Sequence, residues 1–348
     1  LRLVKSKLWR SLDSGIVECL VCERRCIIKP GFRGVCRNYV NFNGELIHIG
    51  YGRLSAIESR PIEIKPLFHY WPNSTALTYS NYGCNFYCPW CQNDNLSFSE
   101  PREEYSVIPP EELVNLALRY GDDGLSASFN EPTVNYDYVL EASIIAIKKG
   151  LYSMMVTNGY LTVNAVKNLV EASVDGWSID IKGCPKMRRA LASIDHSIIY
   201  RNSKFILDSG GHVELVYLMV TNTNDFEECI DWIIDMHLDK LGPEVPLHIN
   251  RYYPAHIWKE PPTPISKLLE AREKALREGV KYVYVGNVHD PKLESTYCPY
   301  CKKILIERRN YRVTAFLLER VGDKWRCPRC SHVIPIRGEY IAWKTMWS

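Results

Sequence analysis

Between residues 75 and 288, short apolar runs alternate with longer amphipathic ones, and this alternation constrains the fold more than any other feature of the chain. The runs at 76–79, 125–129, 152–156, 176–181, 213–220, 247–249 and 282–285 are short and apolar, as strands buried on both faces are. Helical patterns lie between them at 110–120, 136–149, 163–172, 225–238 and 266–278, the first with Leu113, Leu116, Ala117 and Tyr120 on one face. Gly121, Gly150 and Gly279 follow three of these segments, where glycine ends helices. The pattern predicts an α/β fold in which a parallel sheet covered by helices is closed or partly closed as a barrel. In 348 residues, one such domain leaves room for small appendages. We divide the chain into 1–74, 75–290 and 291–348.

Eleven of the 13 cysteines fall into three tight clusters, one per division, which in a long chain reads as metal ligation. The first, ECLVCERRCIIKPGFRGVCRN, offers Cys19, Cys22, Cys26 and Cys36, with Gly31 and Gly34 to permit tight turns. Zinc held by four thiolates and a fully ligated iron–sulfur cluster both fit, so the site is structural or an electron relay. The stretch after it alternates apolar and polar residues, suggesting strands or a bridging loop. The second cluster, Cys84, Cys88 and Cys91 in GCNFYCPWCQN, has only three members. Three thiolates can hold three irons of a 4Fe-4S cube and leave the fourth open to a small chelating molecule, whereas a zinc knuckle wants four ligands. The third pairs Cys298 and Cys301 with Cys327 and Cys330 across a strand-rich insert, the pattern of a zinc ribbon, with rubredoxin-type iron as the alternative. Cys184 and Cys229 stand apart and are expected to be structural.

Composition narrows the function classes. The apolar fraction of 46% and charged fraction of 24% are those of an ordinary globular chain, and no run approaches the roughly 18 to 20 apolar residues of a membrane span. The opening LRLVKSKLWRSLDSG has no continuous apolar segment or cleavage site, which predicts a cytoplasmic protein. The net charge of +3 conceals a division: residues 291–348 carry 12 Lys/Arg against 5 Asp/Glu. The basic surface expected there, with Arg308, Arg309, Arg312, Arg320, Lys324, Arg326 and Arg329, is either a solvated face or a site for an anionic or nucleic-acid partner.

The central loop resembles the signature of radical S-adenosylmethionine (SAM) enzymes, whose typical fold is a partial (β/α)6 barrel. The resemblance implies that Cys84, Cys88 and Cys91 hold a 4Fe-4S cluster whose open iron takes SAM, with Trp90 beside them. Polar residues end successive predicted strands, where such folds keep their active sites. SFNEPT occupies the place of a Gly-Gly-Glu-Pro motif, with Phe129 and Asn130 replacing the glycines, and the resemblance assigns Asn130 and Glu131 to the SAM amino group. VTNGY resembles a stretch of glycyl-radical activating enzymes and implies SAM contacts by Thr157 and Asn158. Asp180 and Lys182 of SIDIKG match an Asp-x-Lys pair near SAM and substrate, and His248 matches a SAM-contacting histidine. Read without the family, Glu131 and Asn158 are also helix caps, Asp180–Lys182 a strand-end ion pair and His248 a core histidine.

Over nearly its full length the chain is similar to the AmmeMemoRadiSam system radical SAM enzymes of archaea and bacteria, relatives of pyruvate formate-lyase activating enzyme. The family implies reductive SAM cleavage, hydrogen abstraction from a small-molecule or peptide substrate, and an electron donor such as ferredoxin or flavodoxin. A glycyl-radical enzyme activase is the narrower alternative. A zinc-ribbon nucleic-acid-binding module is the alternative of another class.

Overall fold

The computed structural model describes residues 4–102, 104–187, 191 and 193–342, so the tail lysine Lys344 lies outside the described residues. Its centre is one eight-stranded sheet: β1 (Ala56–Pro61), β2 (Thr75–Ser80), β3 (Gly124–Ala127), β4 (Tyr152–Thr157), β5 (Val174–Ile181), β6 (His212–Met219), β7 (Leu247–Arg251) and β8 (Val283–Gly286). Spatial order follows sequence order. Strand β1 runs antiparallel to β2, and every later neighbour pair is parallel. All seven predicted strands are present; β1 is an addition, formed from the stretch read as strands or a bridging loop.

Parallel neighbours require a crossover, and six helices supply them: α1 (Pro110–Tyr120), α2 (Tyr136–Lys148), α3 (Val163–Glu171), α4 (Ser197–Asp208), α5 (Glu227–Lys240) and α6 (Ile265–Glu278). Helix α1 begins with Pro110 in its first turn, buries Leu113, Val114 and Ala117, and stops where Gly121 turns left-handed at φ 70°. Helix α4 is absent from the sequence expectation. Its buried face includes Asn202 and Ser203, which interrupt the apolar stripe. Both are satisfied by carbonyls: Asn202 Nδ2 donates to Gly159 O and Leu161 O at 2.8 Å each, and Ser203 Oγ to Ile199 O at 2.8 Å.

The segment between β1 and β2 crosses the sheet at the N-terminal ends of the parallel strands. Ile62, Leu67 and Tyr70 pack on Ala76, Tyr152 and Met154, while Phe68 packs on Tyr282 and Tyr284 at the far edge. A Cβ at Gly176 would stand 2.8 Å from the Tyr70 ring, so the missing side chain is what admits the segment. This crossing fills one end of the sheet's inner face and leaves the C-terminal ends of the strands to enclose a cavity.

The N-terminal region forms two three-stranded antiparallel sheets, yet Val17, Ile28, Tyr39 and Leu46 belong to the same core as the main sheet. Asp137 of α2 anchors it, accepting from Lys7 N at 2.8 Å and Tyr39 Oη at 3.3 Å and pairing with His48 at 3.1 Å. The C-terminal region also forms two three-stranded sheets, and its core is shared with Phe68, Tyr282 and Tyr284. Arg308, expected on a basic surface, is instead 1% exposed: its guanidinium donates to Phe68 O at 2.6 Å and Thr296 Oγ1 at 2.8 Å and lies over the Phe68 ring. It is a tether, holding Phe68 and Thr296 through its two terminal nitrogens while its Nε stands 4.0 Å from Glu63. Cys184 and Cys229 form a disulfide joining the segment after β5 to α5. No helix among the described residues is long and apolar enough to cross a membrane.

Candidate active site

The loop from Asn81 to Asn93 leaves the C-terminal end of β2 and is held from three sides. Asn130 Nδ2 donates to Asn81 O at 2.8 Å and Gly83 O at 2.7 Å, and Asn38 Nδ2 to Tyr82 O at 2.6 Å. After β7, the amides of Ile257 and Trp258 donate to Pro89 O at 3.1 and 3.0 Å, and Trp258 meets Trp90 edge to face. Gly83 sits at φ 81°, and a Cβ there would fall 2.3 Å from Cys36 O, so only glycine fits. The braced loop presents Cys84, Cys88 and Cys91 to a cavity of about 300 Å³. Trp90, Asn130, Glu131, Thr157, Asn158, Asp180, Lys182 and His248 line the same cavity, so every residue named for this site from the sequence is brought together.

Each lining group has identifiable partners. The Glu131 carboxylate accepts from Thr157 Oγ1 at 2.6 Å, Thr133 N at 3.0 Å and Asn158 N at 2.7 Å, and burial pushes its carboxyl above the usual range against these bonds. It caps the turn at Pro132–Asn135 as well as lining the cavity. Phe129, where the family motif has glycine, holds the left-handed backbone at φ 69°, with the buried Lys65 ammonium 4.9 Å from its ring centroid. The Lys182 ammonium meets Asp180 Oδ2 at 2.8 Å; burial works against its charge, but Asp180 and the nearby Cys88 hold it above its ordinary value. Burial, then the Glu131 charge, pushes the Cys84 thiol up, and burial takes Cys88 to about 12. A cationic metal is what would convert such thiols to thiolates.

Several residues that line the cavity or stand behind its lining escaped the sequence reading. Glu214 of β6, fully buried, accepts from Phe68 N at 3.0 Å, His69 N at 2.7 Å, His212 Nε2 at 2.9 Å and His248 Nε2 at 2.7 Å, thereby fixing the imidazole that borders the cavity. A lone carboxylate in the apolar run VELVYLM was the available signal. Glu63 itself lines the cavity; burial pushes it up to about 7 although Arg308 stands 4.0 Å away. Asn250 presents an Oδ1 that is buried without a partner. Tyr311, at the tip of the C-terminal hairpin, closes the rim, its Oη 3.4 Å from Asn287 Oδ1. No local pattern marks that residue.

This donor set suits an iron–sulfur cluster with an open site: three convergent thiols, with a carboxylate and an ammonium–carboxylate pair at hand, around a cavity of small-molecule size. Residues 78–234 match the Radical SAM superfamily model. The chain carries a radical SAM superfamily domain. It is 39% identical over 330 residues to an uncharacterized protein of Methanocaldococcus jannaschii, MJ0808, covering 94% of this chain and 98% of that one. A second protein of that organism, MJ1632, provisionally assigned as a glycyl-radical enzyme activating enzyme, is 26% identical over 231 residues, or 62% of this chain and 80% of that one. Among solved structures, Streptococcus suis SuiB bound to S-adenosylmethionine aligns at 14% identity and a TM-score of 0.48, covering 63% of this chain. The chain spans about half of SuiB, 52% of its length. The radical SAM domain makes this chain an enzyme, and that family implies SAM and a 4Fe-4S cluster.

The second four-cysteine set, Cys298, Cys301, Cys327 and Cys330, has its sulfurs within 4.8 Å of one another, with Cys298–Cys330 and Cys301–Cys327 at 3.5 Å. Four thiols so spaced suit one tetrahedral ion.

Proposed function

We propose that this protein is a radical SAM enzyme of the AmmeMemoRadiSam group acting on a small-molecule or peptide substrate. The carrying observation is the convergence of Cys84, Cys88 and Cys91 with polar residues on or just after β3, β4, β5 and β7 on one cavity. In this reading the sheet is a partial (β/α)6 barrel within 75–290, between an N-terminal metal region, 1–74, and a C-terminal ribbon, 291–348, whose cysteines hold zinc. The cluster held by the triad, reduced by a donor such as ferredoxin or flavodoxin, supplies reductive cleavage of SAM to methionine and a 5′-deoxyadenosyl radical that abstracts hydrogen from the substrate.

The chain's own residues bind, orient and shield. Glu131 orders the Thr157–Asn158 corner and keeps a carboxylate at the place of the SAM ammonium. Lys182, held charged by Asp180, offers a cation for a carboxylate of SAM or substrate. Trp90, Phe68 and Tyr311 restrict water. The activase reading draws on similarity to activating enzymes alone. For the nucleic-acid module, the burial of Arg308 removes one cation from the surface on which that reading rested.

The test is anaerobic reconstitution with iron, sulfide, reductant and SAM. 5′-Deoxyadenosine is expected from the wild type and from none of Cys84→Ala, Cys88→Ala or Cys91→Ala. Formation at the level of the Cys88→Ala control would refute the reading, as would full cleavage by Cys91→Ala.

A further inference from the structure

The four N-terminal cysteines surround one small enclosed cavity, whose other lining includes Val21, Val35, Val134 and Asn85. No carboxylate or imidazole lines it, and the Tyr39, Thr133 and Asn85 side-chain oxygens there are engaged with Asp137, Thr157 and Asn158, which leaves four soft thiols, the ligands of zinc and of iron–sulfur clusters. Two features distinguish this site from the C-terminal four-cysteine group.

The first is structural need. The C-terminal group sits in a small module whose compact core includes Cys298 and Cys327 themselves, where a metal ion supplies folding energy. The N-terminal cysteines are embedded in the main core: Val17, Cys19, Val21, Ile28, Tyr39 and Leu46 pack with the helices and strands of the central sheet.

The second feature is position. The site lies directly behind the loop bearing Cys84, Cys88 and Cys91. The carbonyl of Cys36 touches Gly83, Arg24 Nε donates to Asn85 O at 2.8 Å, and Cys22 bridges Leu161, three residues beyond Asn158. Asn85 stands between the two sites and is fully buried. Its Oδ1 accepts from Asn158 Nδ2 at 2.7 Å and lies 3.8 Å from Cys84 Sγ, on the side of the triad. Its Nδ2 is buried without a hydrogen-bond partner, although the side chain approaches the Cys22 thiol on the other side. A buried amide N–H left unpaired demands an acceptor, and cluster sulfide or cysteine thiolate is the acceptor this cavity can provide. One amide group then spans the two sulfur shells, on the order of 10 Å or less by ordinary contact lengths.

We infer that Cys19, Cys22, Cys26 and Cys36 hold a second, fully protein-ligated iron–sulfur cluster, which relays electrons through Asn85 to the cluster on Cys84, Cys88 and Cys91. The relay role rests on the radical SAM reading proposed above; occupancy of the four-cysteine site does not. In each transfer a low-potential one-electron carrier protein, such as reduced flavodoxin, is oxidised by one electron and the N-terminal cluster is reduced by one. That electron passes on to the triad-held cluster, with no bond made or broken. Zinc, having no redox chemistry, could not serve.

The experiment uses the full chain, reconstituted anaerobically with iron and sulfide, with acid-labile sulfide and zinc measured and electron paramagnetic resonance spectra recorded after dithionite reduction with and without SAM. The wild type is expected to hold about eight sulfides, falling to about four in the triple variant Cys84→Ala/Cys88→Ala/Cys91→Ala. The remaining signal in that variant should not respond to SAM. Cys22→Ala/Cys36→Ala should likewise fall to about four sulfides and keep the SAM-responsive signal. Zinc at the N-terminal site, with no sulfide in the triple variant, would overturn the inference. A wild-type signal insensitive to SAM, with sulfide retained in the triple variant, would overturn the radical SAM reading and leave the second cluster standing. Asn85→Leu, with sulfide unchanged, should slow reduction of the SAM-responsive signal by flavodoxin at least tenfold; an unchanged rate would exclude the relay.

Discussion

Replacing Glu214 with glutamine tests the anchor beneath the cavity. Four donors converge on this carboxylate, two per oxygen: His69 N and His212 Nε2 on one, Phe68 N and His248 Nε2 on the other. A glutamine keeps the shape but turns one oxygen into an NH₂ group facing two donors. A histidine can respond by changing tautomer; a backbone N–H cannot. One buried amide is therefore left unpaired at about 1–3 kcal/mol, and the bonds that remain lose their charge assistance at about 1 kcal/mol in total, so Glu214→Gln should destabilise by about 3 kcal/mol. The pH dependence carries a second signature. Burial alone would raise this carboxyl, but His212 and His248 hold it well below its ordinary value of 4.5. A depressed carboxylate contributes stability that is fully present above its unfolded value and is lost as pH falls below about 4.5 toward the folded one. Urea denaturation followed by tryptophan fluorescence at pH 7 and pH 4 measures both effects. The wild type should lose stability between these values more steeply than Glu214→Gln. A variant within 0.5 kcal/mol of wild type at pH 7 would refute the reasoning, because the carboxylate would then not be the acceptor of these four groups.

Asp180→Asn removes the charge that holds the Lys182 ammonium in place, and Lys182→Ala removes the ammonium; each should weaken SAM or substrate binding about tenfold, roughly 1.4 kcal/mol, in equilibrium dialysis. Tyr311→Ala opens the cavity rim and should raise the KM for substrate, leaving the melting temperature within about 2 °C because the residue is at a hairpin tip. Cys327→Ala should mainly lower thermal stability and release about one equivalent of zinc, as measured by metal analysis, while the folded fraction retains SAM cleavage.

The candidate site was legible where its chemistry is written in short windows. The spacing of Cys84, Cys88 and Cys91 is local, and Glu131, Asn158 and Asp180 sit at or just past the end of an apolar run and His248 within one, in short stretches that similarity to family motifs picks out before any tertiary information. The same local logic failed where polar residues occupy a buried face, as in α4, whose Asn202 and Ser203 find carbonyl partners that are invisible in sequence. It also misassigned Arg308, because a cation in a basic segment reads as solvated until its acceptors are seen; its partner Phe68 lies 240 residues away.

By itself the sequence determined the parallel sheet, its seven parallel strands and the grouping of the cysteines, because hydrophobic period and ligand spacing act over a few residues. Tertiary structure alone decided that the segment after β1 fills the N-terminal ends of the strands, that Glu214 anchors His248, that a C-terminal hairpin contributes Tyr311, and that Asn85 stands between two cysteine sites. Each of these depends on which distant groups satisfy a buried donor, acceptor or surface, and that pairing exists only once the chain has closed on itself.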